Sequence, residues 1–313
     1  MKGILVQAPG LFTTVQDLGR EGFGPMGVSA SGAADAISLR IGNRLAGNPE
    51  GAAALEMTLV GGAFVFEEDA VIAVTGADFG ASLDGIAVPM WSSARVQAGQ
   101  TVTLGPSTSG ARSYLCVGGG IMVEPFLGSA STHALSGLGG FEGRALHKGD
   151  RLDIGAANSL FQKRTLSAQA LEHLWPRKIL RVTEGPQSEW FADSAWETLC
   201  GSAFRVAEQS NRMGVRLEGS RVPVDTRREM ITEGVPLGAI QVTPSGQPII
   251  LFVEQQTTGG YPKIANVISA DFHSLGQLRP RDEVRFERIE MHEARALLRA
   301  QEELLASKEL IEK

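Results

Sequence analysis

The sequence predicts a mainly β protein made of two related β domains with few helices. Three observations carry that expectation. Glycine supplies 38 of 313 residues while aromatic residues make up only 6%, a balance that marks many tight turns between short strands. β-rich runs closed by turn residues recur: 71–75 before Gly76, 113–117 before Gly118-Gly119-Gly120, and 248–253, continuous enough for a strand buried on both faces. One phrase appears three times, as VQAGQTVTLG from Val96, LHKGDRLDIG from Leu146 and LRPRDEVRFE from Leu278. It reads as a repeated hairpin device in barrels or sandwiches.

Four segments break the β texture. Ser31 is the expected cap of a helix over 33–47, with Ile37, Ile41 and Leu45 at fourfold spacing and Asn48-Pro49 as the stop. Residues 167–175 read as a short connecting helix ending at Pro176, and 188–199 as a helix with Phe191, Ala195 and Leu199 on one side. Beyond Ile289 the composition turns to Glu, Ala, Leu, Arg and Lys without glycine, a terminal helix. Its stripe of Met291, Ala294, Leu298 and Leu305, broken by Glu302, is expected to pack on the parent domain. The divisions are an N-terminal β domain at 1–165, a C-terminal β domain at 178–288 and the helix at 289–313.

Charge and motifs exclude several classes. The net charge of −6 and pI near 5.5 give no basic footprint for nucleic acid or an anionic membrane. No run reaches the 18 or so apolar residues a membrane helix needs, and MKGILVQAPG is too short in its apolar part for a signal peptide. Cys116 and Cys200 lack CxxC or His-rich spacing, so a reducing cytoplasm is the expected compartment. The five histidines are scattered without metal-ligand spacing, and no metal is expected. No GxxxxGK[ST], GxSxG or HExxH occurs. Gly22 to Gly27 formally matches GxGxxG, but polar residues precede it, Pro25 interrupts it and the helix starts later. It is a glycine-rich loop of another kind.

The candidate site residues are uncommon polar groups set among glycines. Residues 13–20 place Gln16, Asp17 and Arg20 in one short loop. The run Gln255-Gln256-Thr257-Thr258-Gly259-Gly260-Tyr261-Pro262-Lys263 follows directly on a buried strand, where it can turn amides, hydroxyls, backbone N–H groups and a phenol toward one ligand. The alternative is a wide turn whose polar groups satisfy its own backbone. Arg212, presented by Ser210, Asn211 and Gly214, is either a bidentate anion clamp or a surface ion pair. Arg112 and Arg144 invite the same two readings.

These phrases carry a family resemblance. TTVQDLGREGFG, SGAADAISLRIGNRLAGN, ALEMTLVGG, RSYLCVGGGI, FLGSAST, GGFEGRALHKGD, SNRMGVRL, GAIQVTPSGQPIIL, QTTGGYPKIANVI and HEARALLRAQEE span nearly the whole chain. In that order they resemble the family of the 5-oxoprolinase C subunit, also called allophanate hydrolase subunit 2 or biotin-dependent carboxyltransferase-like. The resemblance implies tandem cyclophilin-like β-barrels. It also implies two 5-oxoprolinase partners, a B subunit related to a histidine-kinase inhibitor and an A subunit related to lactam-utilisation proteins. Together such proteins open the cyclic amide 5-oxo-L-proline to L-glutamate with ATP. Homologous segments of urea carboxylases transfer CO₂ from carboxybiotin, and a sporulating relative antagonises a kinase inhibitor. This chain has no biotin-carrier motif such as AMKM and no ATP-grasp pattern, so biotin would act only in trans. Two departures stand out: Glu254 where the family usually has aspartate, and Pro280-Arg281-Asp282 at a turn that usually carries glycine.

The chemistry implied needs a carboxylate clamp, oxyanion donors and an acid–base carboxylate. On the resemblance, Arg212 with Asn211 is the clamp, and Thr257, Thr258, Gly259 and Gly260 are the donors. Gln256 and Tyr261 orient substrate, Gln241 and Lys263 contact it, and Asp17 or Glu254 handles protons.

Overall fold

The computed structural model describes residues 3–156, 161–225, 227–228 and 230–312; part of the connector between the predicted domains lies outside these. Strand Arg112–Val117 shows how the first part of the chain is built, because it is buried along its whole length. Its two faces serve two layers, as the period of two requires. Leu115 and Val117 enter a core with Ile4, Val6, Phe64, Phe66, Ile72 and Val74. Tyr114 and Cys116 pack instead with Leu39, Ile41 and Leu45 of helix Ala36–Ala46.

Two sheets surround that first core. The larger runs in the order Ile121–Met122, Arg151–Ile154, Gly3–Ala8, Ala63–Phe66, Thr101–Thr103, Ser82–Leu83, Ile86–Ala87. The other runs Phe12–Gln16, Ala54–Thr58, Arg112–Val117, Ala70–Gly76, Ser93–Val96. The helix starts three residues later than its sequence pattern suggests. Asp35, not Ser31, is its cap, accepting from Ser38 N at 2.9 Å. Ser31 sits at φ 57 and donates to the Thr132 carbonyl instead. Gly42 lets the helix approach the sheet closely, since a β-carbon there would stand 2.6 Å from Cys116 Sγ.

The second part of the chain forms a closed seven-stranded barrel. Its circuit is Ile179–Glu184, Lys263–Val267, Ala239–Val242, Pro248–Leu251, Gly214–Gly219, Phe204–Val206, Glu283–Arg288 and back to Ile179–Glu184. The closing pair, Ile179 with Arg285 through Val182 with Arg288, is parallel. Closure removes the open edges that a sheet must otherwise protect. Alternate residues Val215 and Leu217, and Val284 and Phe286, are buried. The expected strand at 248–253 ends at Leu251, with Phe252 and Val253 buried beyond it.

The thrice-repeated phrase is a shared turn rather than a hairpin. Strands Ser93–Val96 and Thr101–Thr103 lie in different sheets, so they do not pair with each other. What repeats is a four-residue turn closed by Gln100 N to Gln97 O, Asp150 N to His147 O and Asp282 N to Arg279 O. Its third residue donates to a neighbouring strand carbonyl: Gly99 to Phe66, Gly149 to Val6, Arg281 to Val206. That residue has φ of 89, 95 and 72 respectively. Arg281 therefore holds a backbone conformation that glycine adopts more easily.

Chain contacts divide the molecule into two units, residues 1–20, 31–174 and 304–313 in one and 21–30 and 175–303 in the other. This differs from the sequence division at 21–30 and at the C-terminus. Helix Met291–Ala306 packs Ala294 and Leu297 with Ile268 and Ala270 in the second unit. Leu305 and Leu310 belong to the apolar cluster of the first unit, where Ile311–Glu312 pairs with Thr165–Leu166. Among the described residues the other helices are Ala168–His173, capped by Ser167, Asp193–Gly201 after a short 3-10 turn at Ser188–Trp190, and the short Phe272–Gly276. Gly22 to Gly27 holds only the 3-10 turn Gly24–Met26. Among the described residues no helix is long and apolar enough to cross a membrane.

Candidate functional site

The segment after strand Pro248–Leu251 crosses from that strand to Lys263–Val267, which flank Ala239–Val242 on either side. Its start is tied down by Phe252 N to Met213 O and Glu254 N to Arg212 O. Thr258–Gly259 then pairs with Glu233–Gly234 as a separate two-stranded ribbon, and Val235 N donates to Thr257 O. Side chains crowd the backbone at Gly259. A β-carbon there would lie 2.6 Å from Gln241 Nε2 and 3.0 Å from Gln256 Nε2. Glycine is what lets two amides converge on this loop.

Lys263 is the centre of the cluster. It opens its strand, faces Gln241 across the ladder and has no exposed surface. Its Nζ lies 2.6 Å from Glu233 Oε1, whose side chain is 45% exposed. Gln187 braces both partners: its Nε2 donates to Glu233 Oε1 at 2.8 Å, and its Oε1 accepts from Lys263 N at 3.2 Å. The ammonium, and then the Gln187 amide, hold the Glu233 carboxyl below its ordinary pKa. Gln241 Nε2 reaches the Tyr261 carbonyl at 3.4 Å, and the Tyr261 side chain is 42% exposed. Gln241, Gln256, Gly259, Tyr261 and Lys263 are thus brought together.

The remaining candidates are placed elsewhere. Arg212 and Glu254 are 6% and 5% exposed and face each other, Nε to Oε1 at 2.5 Å. A guanidinium so buried and engaged does not present a clamp to solvent. Asn211 Oδ1 caps Met213 N. Thr257 is half-buried and Thr258 and Gly260 are exposed on the ribbon side. Asp17 lies in the first unit, where Gly19 N, Ser129 Oγ, Ser131 Oγ and Ala130 N all donate to its carboxylate. That carboxylate is a fastener for the 126–132 loop. Arg144 pairs with Glu142 and Asp150, and Arg112 lies 3.9 Å from Glu56.

Sequence reasoning missed Gln187 and Glu233. Gln187 follows the first barrel strand in TEGPQ, and Glu233 precedes a buried strand in ITEGVP. Neither stands among the clustered polar residues that drew attention to QTTGGYPK; only the Lys263 ion pair identifies them. Among the described residues, no group of three or more His, Cys, Asp or Glu is placed to hold a metal ion.

The comparisons with known proteins agree on one family. The carboxyltransferase domain, subdomain A and B, matches residues 26–288. The chain is 43% identical over 288 residues to the C subunit of 5-oxoprolinase from Escherichia coli K12, covering 91% of each chain. It is 33% identical over 326 residues to urea amidolyase of Saccharomyces cerevisiae, covering 97% of this chain but 18% of that one. The crystal structure of the Kluyveromyces lactis urea amidolyase superposes with a TM-score of 0.90 at 31% identity, over 98% of this chain and 20% of the other. The chain belongs to the carboxyltransferase domain, subdomain A and B, family.

Proposed function

We propose that this chain is the C subunit of an ATP-dependent 5-oxoprolinase, opening 5-oxo-L-proline to L-glutamate together with the A and B subunits. The observation that carries the reading is the end-to-end match to a 5-oxoprolinase component, 91% of both chains, against a small fraction of the urea amidolyases. The chemical problem is amide resonance: a five-membered lactam must lose it before its C–N bond breaks. In balance, water adds its oxygen to the lactam carbon, the C–N bond breaks and the ring nitrogen takes a proton.

The cluster fits the lactam better than the nucleotide. It offers neutral donors, from Gln241 and Gln256, suited to a carbonyl oxygen gaining charge. It holds a single ammonium among the described residues, Lys263, a poor match to a polyphosphate with several negative charges. ATP is therefore assigned to the complex and not to these residues, and biotin, if used, acts in trans. Gln256 and Tyr261 orient the substrate. Arg212, Glu254 and Asp17 hold the scaffold, which leaves proton handling to groups outside those three. The complex works in the cytoplasm.

The test is reconstitution with the A and B subunits, following glutamate release from 5-oxoproline with and without ATP. Release that needs both ATP and this chain supports the reading; no release sinks it. Alanine at Gln256 or Tyr261 removes turnover by about 10²–10³-fold, the scale of one lost oxyanion donor, without unfolding the protein. A second reading, a carboxyltransferase for a urea-like amide, is favoured by the family itself and by the urea amidolyase matches. It predicts biotin-dependent turnover of urea that avidin stops.

A further inference from the structure

A buried lysine whose carboxylate partner is half-exposed is an unbalanced pair. Lys263 is fully enclosed, yet Glu233 is 45% exposed and stands on a two-residue strand that pairs, among the described residues, with Thr258–Gly259 alone. An ammonium has three N–H donors, and Glu233 is its one carboxylate partner among the described residues. The pair is therefore open from the glutamate side. Next to it stand Gln241, opposite Lys263 in register, and the Gln256 amide at Gly259. Arg212, the other cation considered for an anionic ligand, faces Glu254.

We propose that Glu233 occupies the subsite of the substrate's own carboxylate and is displaced from Lys263 when substrate binds. This rests on the lactam reading of the site. Lys263 is then the carboxylate receptor, the converging amides take the lactam group, and Glu233 is a stand-in that keeps the ammonium neutralised until substrate binds. Gln187 is a positioning residue, because it holds the stand-in through Glu233 Oε1 and the receptor through Lys263 N. Such a device favours ligands carrying both a carboxylate and an amide. A neutral lactam leaves Glu233 in place and gains nothing from the ammonium.

The experiment is calorimetric titration of the full chain with 5-oxo-L-proline and with 2-pyrrolidinone, the same ring without the carboxylate. Glu233→Gln removes the competitor, so 5-oxoproline binds roughly tenfold tighter, the scale of one charge-assisted contact, while 2-pyrrolidinone is unchanged. Gln187→Ala shifts 5-oxoproline in the same direction by less, and adding Lys263→Met to Glu233→Gln cancels the gain. Weaker or unchanged 5-oxoproline binding by Glu233→Gln overturns the proposal, as does an equal shift for both ligands. No binding of either ligand, in a chain that still supports ATP-dependent glutamate release, overturns it too and leaves the reaction reading standing. Tighter 5-oxoproline binding without any glutamate release sinks the reaction reading alone.

Discussion

Each unit holds an ionised side chain among polar neighbours, and the two are completed differently. In the first, the Asp17 carboxylate receives four hydrogen bonds from two serine hydroxyls and two backbone N–H groups. In the second, buried Lys263 has Glu233 as its carboxylate partner among the described residues, and that partner is half in water. A filled set of acceptors fixes a loop and leaves nothing for a ligand. An underfilled donor beside an opening can take one. Abundance of polar residues does not mark a site; unmet hydrogen-bonding capacity with access does.

The largest expected effect lies at the Arg212–Glu254 pair. Arg212→Ala leaves a buried carboxylate uncompensated and should cost about 3–5 kcal/mol of the second unit's stability in urea unfolding. Lost turnover at unchanged stability would instead restore Arg212 as a substrate clamp. Asp17→Ala strands several donors and should cost about 2–3 kcal/mol, read from probes in the first unit, since two units need not unfold together. Unaltered stability there would undo the contrast between fastener and site. Gly42→Ala presses a methyl on Cys116 and Thr75 and should cost about 1–3 kcal/mol, measured in the same way.

The smallest effect has opposite signs in the two units. Arg281→Gly relieves a left-handed backbone and should stabilise the barrel by up to about 1 kcal/mol, less the weak exposed pair with Glu208. Gly149→Ala at the equivalent turn should destabilise the first unit by about the same amount. Paired melting curves of the two variants check both signs. Equal signs would mean the turns are not equivalent despite their matching hydrogen bonds.

Much of the fold was legible because it follows local rules. A β-rich run closed by glycines marked 113–117, fourfold spacing marked Ile37, Ile41 and Leu45, and a recurring phrase marked the three repeated turns. The cap was misplaced because both Ser31 and Asp35 are good capping residues, and only the path of the chain selects Asp35. The repeated phrase looked like a hairpin because a turn between two strands is locally the same whether or not they pair. The site was half legible: QTTGGYPK advertised itself by composition, but Gln187 and Glu233 lie 76 and 30 positions from Lys263.

The β class, the terminal helix and the polar loop that carries Gln256, Tyr261 and Lys263 could be read from the order of the residues. These depend on neighbours within a turn or two. Long-range packing settled that one unit forms two sheets while the other closes, that Arg212 faces Glu254, and that Glu233 covers Lys263. Those outcomes depend on which distant strands share a ladder. Burial and partnership of a charge are set by that arrangement, not by the residues beside it in the chain.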